Sequence, residues 1–206
     1  MTEQQVPRPQ HSVQGFEAAY ASGTPPWDIG APQPAFQQLA DAGQLTGRVL
    51  DVGCGTGEHA LMAAAIGLAA TGVDVAGNAI AIARDKAEQR SLTVEFITGN
   101  ALELAGLGQV FDTVLDCGLF HVLSDPDRAV FVQSLHSSLA VGGRYFMLCF
   151  SDREPGDWGP RRIRQDELRQ AFADGWQVES IEPSSILTTM SVDGAQAWLA
   201  TIVRSG

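Results

Sequence analysis

From Val49 onward, short uninterrupted apolar runs alternate with segments of helical periodicity. Apolar positions that recur every three or four residues predict helices at 78–90 and 125–139, with Asn78 and Asp125 as their N-caps. The apolar runs predict strands at about 48–53, 69–74, 93–97, 110–116 and 143–150. Such alternation is typical of a doubly wound α/β fold with a mostly parallel sheet.

The chain that follows these units has a different pattern. A loop rich in glycine and proline, 151–162, precedes a predicted helix near 164–173. Two extended runs, 176–189 and 195–204, flank Asp193-Gly194, a dipeptide that favours a tight hairpin turn. We therefore predict a Rossmann-like seven-stranded sheet that ends in a C-terminal antiparallel hairpin.

Two helices are predicted ahead of the first strand, at about 12–21 and 33–43. The proline-rich segment between them contributes no strand and is available to cover a ligand. A chain of 206 residues, 45% hydrophobic and 18% charged, suits a single domain. We expect one domain over 1–206, comprising a disordered 1–10, a cap at 11–46, a cofactor-binding core at 47–150, and a substrate loop and hairpin at 151–206.

The charge and the cysteine content of the chain indicate which classes of ligand and partner it can bind. The net charge of −11, with Lys86 as the only lysine, opposes nucleic-acid binding because phosphates need a basic surface. Three widely spaced cysteines form no disulfide or metal pattern, and no apolar run resembles a signal peptide or a membrane span. We expect a cytoplasmic monomer or homodimer that acts on a small molecule, without nucleic acid, membrane or metal.

The most informative stretch is Asp51–Gly57, a glycine-rich turn that joins an apolar strand to a helix. A phosphate-binding P-loop needs Gly-Lys-Ser/Thr, whereas Lys86 lies far from this turn. A dinucleotide fingerprint needs glycine or alanine where this chain has Glu58, whose charge would repel a pyrophosphate. The turn therefore favours a ligand without phosphate groups.

Polar side chains near successive strand ends indicate which phosphate-free ligand fits. S-adenosyl-L-methionine carries an ammonium and a sulfonium, so the carboxylate of Asp51 favours it. Asp74 ends the second strand, where a carboxylate can accept both ribose hydroxyls. Asn100 follows the third strand and can bind the adenine amine, although asparagine also suits a turn, as aspartate suits a helix cap.

The segment Asp51–Gly57, Asp74, Asn100 and the run Asp116–His121 resemble the class I S-adenosylmethionine-dependent methyltransferases over about residues 47–150. Thr24–Gly30 and Trp158–Arg162 resemble the mycobacterial heterocyclic toxin methyltransferases and, more broadly, the thiol/halide and thiopurine methyltransferases. The resemblance implies that Trp27 borders the methionine end of the cofactor. It places these further residues at the cofactor: Gly53, Cys54, Gly55, Gly57, Val75, Ala101, Asp116 and Cys117.

The acceptor pocket is expected between the N-terminal segment and the loops after the fourth and fifth strands. A flat aromatic or heterocyclic acceptor, attacking through O, N or S, suits the side chains available there: Phe16, Tyr20, Phe120, His121 and Trp158. His121 is either a general base or a structural residue. Thiol or halide methylation, and a regulator that binds the cofactor without catalysis, remain alternatives, and an arginine among Arg161, Arg162 and Arg164 is a candidate for attracting an anionic substrate.

Overall fold

The computed structural model of the protein describes residues 12–206, so the disorder predicted for 1–10 lies outside the described part. The strands are β1 Arg48–Val52, β2 Ala69–Asp74, β3 Glu95–Thr98, β4 Phe111–Cys117, β5 Leu139–Phe150, β6 Trp176–Thr188 and β7 Ser191–Arg204. The helices are α1 Val13–Ser22, α2 Pro34–Asp41, α3 Glu58–Ala65, α4 Gly77–Gln89, α5 Asp125–Ser138 and α6 Gln165–Ala171, with a 3₁₀ helix at Ala101–Leu107.

The strands form one seven-stranded sheet in the order β3-β2-β1-β4-β5-β7-β6. Strands β1 to β5 pair in parallel, and β7 pairs antiparallel with both β5 and β6. The predicted fold class is confirmed. The chain reverses direction across the sheet between β1 and β4, so the loops after these two strands diverge and leave a crevice for a ligand.

Side chains alternate between the two faces along each strand, and helices bury both faces of the central strands β1, β4 and β5. Val49 and Leu115 belong to an apolar cluster that includes Phe36 of α2, Leu61 of α3 and Ile80 of α4. Their neighbours in sequence join a second cluster on the other face, which contains the following residues of β1, β4, α5 and α6: Leu50, Val114, Phe131, Leu135 and Leu168. Strand β6, at the edge of the sheet, is less buried than these central strands.

The hairpin turn differs from the prediction. The strands pair up to Thr188 and Ser191, so Thr189 and Met190 form the turn, and Asp193-Gly194 lies within β7. Gly194 has a φ of 71°, and a Cβ there would lie 2.5 Å from the carbonyl oxygen of Ile186. The left-handed conformation of this glycine thus belongs to an irregularity inside the strand, where the register shifts.

The predicted helix caps also need correction. Ser124 caps α5, since its hydroxyl accepts the Asp127 N–H, and Asp125 is instead the first helical residue. Asn78 does not cap α4. The carboxylate of Glu17 on α1 accepts the N–H groups of Gly77 and Asn78 at 2.7 and 3.2 Å, which fastens α1 to the start of α4.

Candidate active site

A cavity of about 460 Å³ opens at the carboxyl ends of β1, β2 and β4. The N-terminal segment, the loop after β5 and the β6–β7 turn all line it, and the N–H of Thr189 in that turn donates to the carbonyl of Pro26 in the N-terminal segment at 2.9 Å. Its volume lies within the range of small-molecule sites. One open cavity therefore joins the glycine turn to the aromatic residues of the N-terminal segment and of the loops after β4 and β5.

The glycine turn approaches its neighbours too closely for side chains. Gly55 has a φ of 52°, and a Cβ there would lie 2.6 Å from the hydroxyl oxygen of Tyr20. Gly57 has a φ of 83°, and its Cβ would lie 2.5 Å from Cζ of Phe96. Gly55 therefore allows the hydroxyl of Tyr20 to lie directly against the turn, whereas Gly57 allows α3 to pack on the sheet.

Asp51 lies beneath this turn rather than on the cavity wall. It is 1% exposed, and its Oδ2 accepts the N–H of Ala60 at 3.1 Å. Within residues 12–206 no hydrogen bond reaches its Oδ1, although Nδ1 of His59 lies 3.8 Å away. An uncompensated buried carboxylate oxygen creates a negative potential below the turn, which favours a cationic ligand above it.

Asp74 ends β2 at the cavity, as predicted. Its carboxylate accepts the N–H of Gly55 and that of Ala76, each at 2.8 Å, so it ties the glycine turn to the end of the strand. Burial raises the pKa of Asp74, and the two N–H donors counteract this rise. Asn100, by contrast, is exposed, and its side chain caps the 3₁₀ helix by accepting the Leu102 N–H.

Three aromatic side chains of the N-terminal segment form one wall. The indole of Trp27 donates to the hydroxyl of Tyr20 at 2.9 Å, and Phe16 packs edge-on against the same indole, with ring centres 6.0 Å apart. The hydroxyl of Thr56 donates to Asp28 at 2.8 Å, which joins this segment to the glycine turn. The cap is thus held against the turn by specific bonds.

A second wall consists of His121, Phe150 and Trp158. The ring of Phe150 contacts both of the others edge-on, with centre distances of 5.1 Å to His121 and 5.4 Å to Trp158. The N–H of Phe150 donates to Nδ1 of His121 at 2.9 Å. Because Nδ1 accepts this bond, the proton of the neutral ring resides on Nε2. This geometry favours a donor role for His121 over the base role.

Asp116 is fully buried behind this wall. Its carboxylate accepts the N–H groups of Leu119 and Phe120 and the hydroxyl of Tyr145, the last at 2.6 Å. Burial raises the pKa of Asp116 to about 7, against the lowering effect of these donors. Asp116 therefore shapes the loop after β4, which carries His121, and does not itself face the cavity.

The structure brings most of the predicted site residues together around the cavity: Phe16, Tyr20, Trp27, Gly53, Cys54, Gly55, Asp74, Val75, Ala101, Cys117, His121 and Trp158. Five others lie outside its lining: Asp51, Gly57, Asn100, Asp116 and Phe120. Phe120 was predicted in the acceptor pocket, but its ring packs in the core between Phe172 and the guanidinium of Arg128.

Charged and sulfur-bearing groups near the site are engaged in structure. Arg161 pairs with Asp125 and Glu167, and Arg164 pairs with Asp166, so neither is directed at an anionic substrate. Burial raises the pKa of the thiols of Cys54 and Cys117, which makes them poor nucleophiles. Among residues 12–206, no cluster of histidine, cysteine and acidic side chains could hold a metal ion.

Comparison with known proteins agrees with this geometry. The model of a family described as "Methyltransferase domain" matches residues 49–143. The 2-heptyl-1-hydroxyquinolin-4(1H)-one methyltransferase of Mycobacteroides abscessus is 34% identical over 90% of this chain and 83% of its own length. The chain belongs to the S-adenosylmethionine-dependent methyltransferases. The resemblance stated above, the enzyme class and the cofactor are thereby confirmed.

Two further matches carry names or titles that describe different chemistry. A solved structure described as "Conversion of a Disulfide Bond into a Thioacetal Group during Echinomycin Biosynthesis" is 39% identical, covers 94% of this chain and 93% of its own, and has a TM-score of 0.85. The probable thiol methyltransferase 2 of Arabidopsis thaliana is 28% identical over 79% of this chain and 73% of its own length. The quinolone methyltransferase and the thiol methyltransferase are thus named for chemically different acceptors.

Several residues of the methyltransferase site escape sequence reasoning. Gln33 is buried, and its side-chain amide pairs with both the carbonyl and the N–H of Leu187, which docks the N-terminal segment on β6. Ile186 and Met190 reach the cavity from the hairpin. No local pattern could have identified them, since each depends on a contact between distant parts of the chain.

No helix within residues 12–206 has the length and apolarity needed to cross a membrane.

Proposed function

We propose that this methyltransferase transfers a methyl group to a hydroxyl on a flat aromatic heterocycle. The observation that carries the proposal is the pair of aromatic walls that face one cavity: Phe16, Tyr20 and Trp27 on one side, and His121, Phe150 and Trp158 on the other. A planar ring fits between such walls with offset or edge-on contacts. A small thiol or a halide ion would leave this apolar surface uncovered.

The name of the Mycobacteroides abscessus relative supports the same acceptor class. That protein is named for a hydroxylated quinolone, a flat bicyclic ring with an alkyl chain, and it aligns with nine-tenths of this chain. The rim of the cavity here carries the exposed side chains of Trp27, Trp158 and Met190. When the acceptor ring is bound, an apolar substituent that projects out of the cavity would cover these exposed side chains.

The residues present fit the cofactor. We assign the ribose hydroxyls to Asp74, the only acidic side chain at the end of β2, and the methionine end to the backbone of Gly53–Gly55, which lines the cavity. The buried carboxylate of Asp51 supplies negative potential below that turn. Val75 and Ala101 line the cavity beyond the end of β2 and contribute apolar surface for the adenine ring.

S-adenosylmethionine supplies an electrophilic methyl group on a positively charged sulfur. The protein's share is mainly alignment, because holding two reactants in line is worth on the order of 7–11 kcal/mol. The aromatic walls hold the acceptor ring and exclude water. The acidic hydroxyl of the acceptor gives up its proton to solvent, and His121, with its own proton on Nε2, donates a hydrogen bond that stabilises the resulting oxyanion until it accepts the methyl group.

An acceptor panel tests the proposal. Purified protein is incubated with S-adenosylmethionine carrying a labelled methyl group and, separately, with hydroxyquinolones, naphthols, small alkyl thiols and iodide. We expect kcat/KM to be highest for the bicyclic hydroxylated rings, with label recovered on the ring oxygen. Turnover of thiol or iodide alone would reject the proposal in favour of a thiol or halide methyltransferase.

A further inference from the structure

Arg162 is the centre of the loop that follows β5. Its guanidinium donates to the carbonyl oxygens of Glu154, Pro155, Gly156, Trp158 and Pro160, at distances from 2.6 to 3.4 Å. An arginine has five N–H donors, and these five bonds use them all. The candidate role of attracting an anionic substrate is therefore not available to this guanidinium.

The loop is closed at its base, which fixes where Arg162 lies. Ser151 bridges to Ile163, the N–H of Ile163 donates to the carbonyl of Phe150 at 2.9 Å, and the N–H of Asp152 donates to Ile163 at 3.1 Å. Residues 154–160 thus form a compact surface loop whose ends meet. Because Arg162 leaves this base, its side chain can reach the carbonyls along the loop.

The same guanidinium supports the aromatic wall. It lies 5.3 Å from the ring centre of Phe150 and 5.4 Å from that of Trp158, so it makes a cation–π contact with each. Trp158 is 42% exposed, and packing alone does not hold it. Its indole contacts the ring of Phe150 and this guanidinium. The backbone carbonyl of Trp158 also accepts a hydrogen bond from the same guanidinium.

We propose that Arg162 is a positioning residue that determines acceptor binding by holding Trp158 as the outer wall of the cavity. Five carbonyl oxygens converge on one point, and they would repel each other without a cation there. The planar, five-donor guanidinium satisfies all of them, whereas an ammonium has only three donors. The inference rests on the proposed acceptor site, because it assigns the loop a role in binding a flat ring.

The test compares Arg162→Lys with Arg164→Lys, a matched control in which the replaced arginine is exposed and pairs only outside the cavity. We expect Arg162→Lys to raise KM for a bicyclic hydroxylated acceptor about tenfold, with kcat changed less than about threefold. The Kd for S-adenosylhomocysteine, measured by calorimetry, and KM for a smaller monocyclic acceptor are expected to remain near the parent values. Arg164→Lys is expected to change none of these quantities.

A double-mutant cycle with Trp158→Ala separates positioning from general stabilisation. If Arg162 acts through Trp158, the double variant has the same KM as Trp158→Ala alone. Additive increases in KM, or equal effects on large and small acceptors, would overturn the inference. So would loss of S-adenosylhomocysteine binding in both Arg162→Lys and Arg162→Gln, because the residue would then support the whole fold.

The proposed function and this inference fail in different ways. If the parent protein methylates no aromatic hydroxyl, the proposed function is wrong. If the parent does so while Arg162→Lys and Trp158→Ala leave KM for the bicyclic acceptor unchanged, the acceptor class stands and only the role of Arg162 is rejected.

Discussion

The role of His121 can be decided by replacing each ring nitrogen separately. In His121→Asn, the side-chain oxygen lies where Nδ1 was and can still accept the Phe150 N–H, but nothing replaces Nε2. In His121→Gln, the longer side chain places its NH₂ group near the former Nε2 and leaves the buried Phe150 N–H without its acceptor. One variant therefore keeps the structural bond, and the other keeps the donor toward the acceptor.

The expected magnitudes follow from these bonds. Leaving the Phe150 N–H unpaired costs about 1–3 kcal/mol, so the Gln variant is expected to be the less stable of the two. Losing a hydrogen bond to an ionised oxygen costs about 1.5–3 kcal/mol, which lowers the rate of the Asn variant about 10- to 150-fold. The Gln variant retains a donor, and its rate is expected to fall less than about tenfold.

Initial rates with saturating S-adenosylmethionine and a bicyclic hydroxylated acceptor, together with urea unfolding, measure both effects. A general base contributes about 10²–10⁴-fold, and neither amide can replace it. If both variants lose a hundredfold or more, and the parent rate rises across about pH 5–8, the histidine acts as a base and the argument from the Phe150 bond is refuted.

Three further predictions concern stability. Gly57→Ala is expected to lower the free energy of unfolding, measured with urea, by about 2–5 kcal/mol. The alanine would be strained in the left-handed backbone conformation, and its Cβ would also overlap with the ring of Phe96. Glu17→Ala removes the cap of α4 and is expected to cost about 1 kcal/mol in the same assay. Burial raises the pKa of Asp116 to about 7, so the folded state retains a proton that the unfolded chain loses near pH 4. The free energy of unfolding of the parent is therefore expected to fall as the pH rises from about 4 to 7. The same urea unfolding measurement on Asp116→Asn is expected to show a smaller fall across this range.

Controls make these three results interpretable. Gly67 has a φ of 86° and open space around its Cβ position, so Gly67→Ala is expected to cost only the strain, about 1–2 kcal/mol. Equal losses for Gly57→Ala and Gly67→Ala would contradict the packing argument. An unchanged unfolding free energy in Glu17→Ala would show that the cap adds nothing, and parallel pH profiles for the parent and Asp116→Asn would show that Asp116 ionises normally.

The parallel part of the fold was predictable because its central strands are buried on both faces. The sequence of such a strand is a short, uninterrupted apolar run, which is easily distinguished from the helical segments on either side. The hairpin was predicted with the wrong turn. Asp193-Gly194 is a strong turn signal, but Gly194 supplies its left-handed conformation to an irregularity within β7 instead. A dipeptide reports its backbone preference, and only the strand pairing decides where that preference is used.

Part of the cavity lining was also predictable from the sequence, since Asp74 and the glycine turn lie at strand ends that a parallel sheet brings together. The covering segment was less visible. The bonds from Glu17 to α4 and from Gln33 to Leu187 join residues 60 and 154 positions apart, and no local pattern encodes them. In the sequence, Arg162 looked like part of a basic cluster. Its role in the loop was not predictable, because its five acceptors are backbone carbonyls, which any residue type provides.

The most direct test of the whole account is a crystal structure with S-adenosylhomocysteine and an accepted hydroxyquinolone bound together. We predict that the ribose lies against Asp74 and that the acceptor ring lies between the two aromatic walls, with its oxygen toward the sulfur and within hydrogen-bonding distance of Nε2 of His121. An acceptor ring bound outside the contact range of Trp158 and His121, or a ribose bound away from Asp74, would contradict the account.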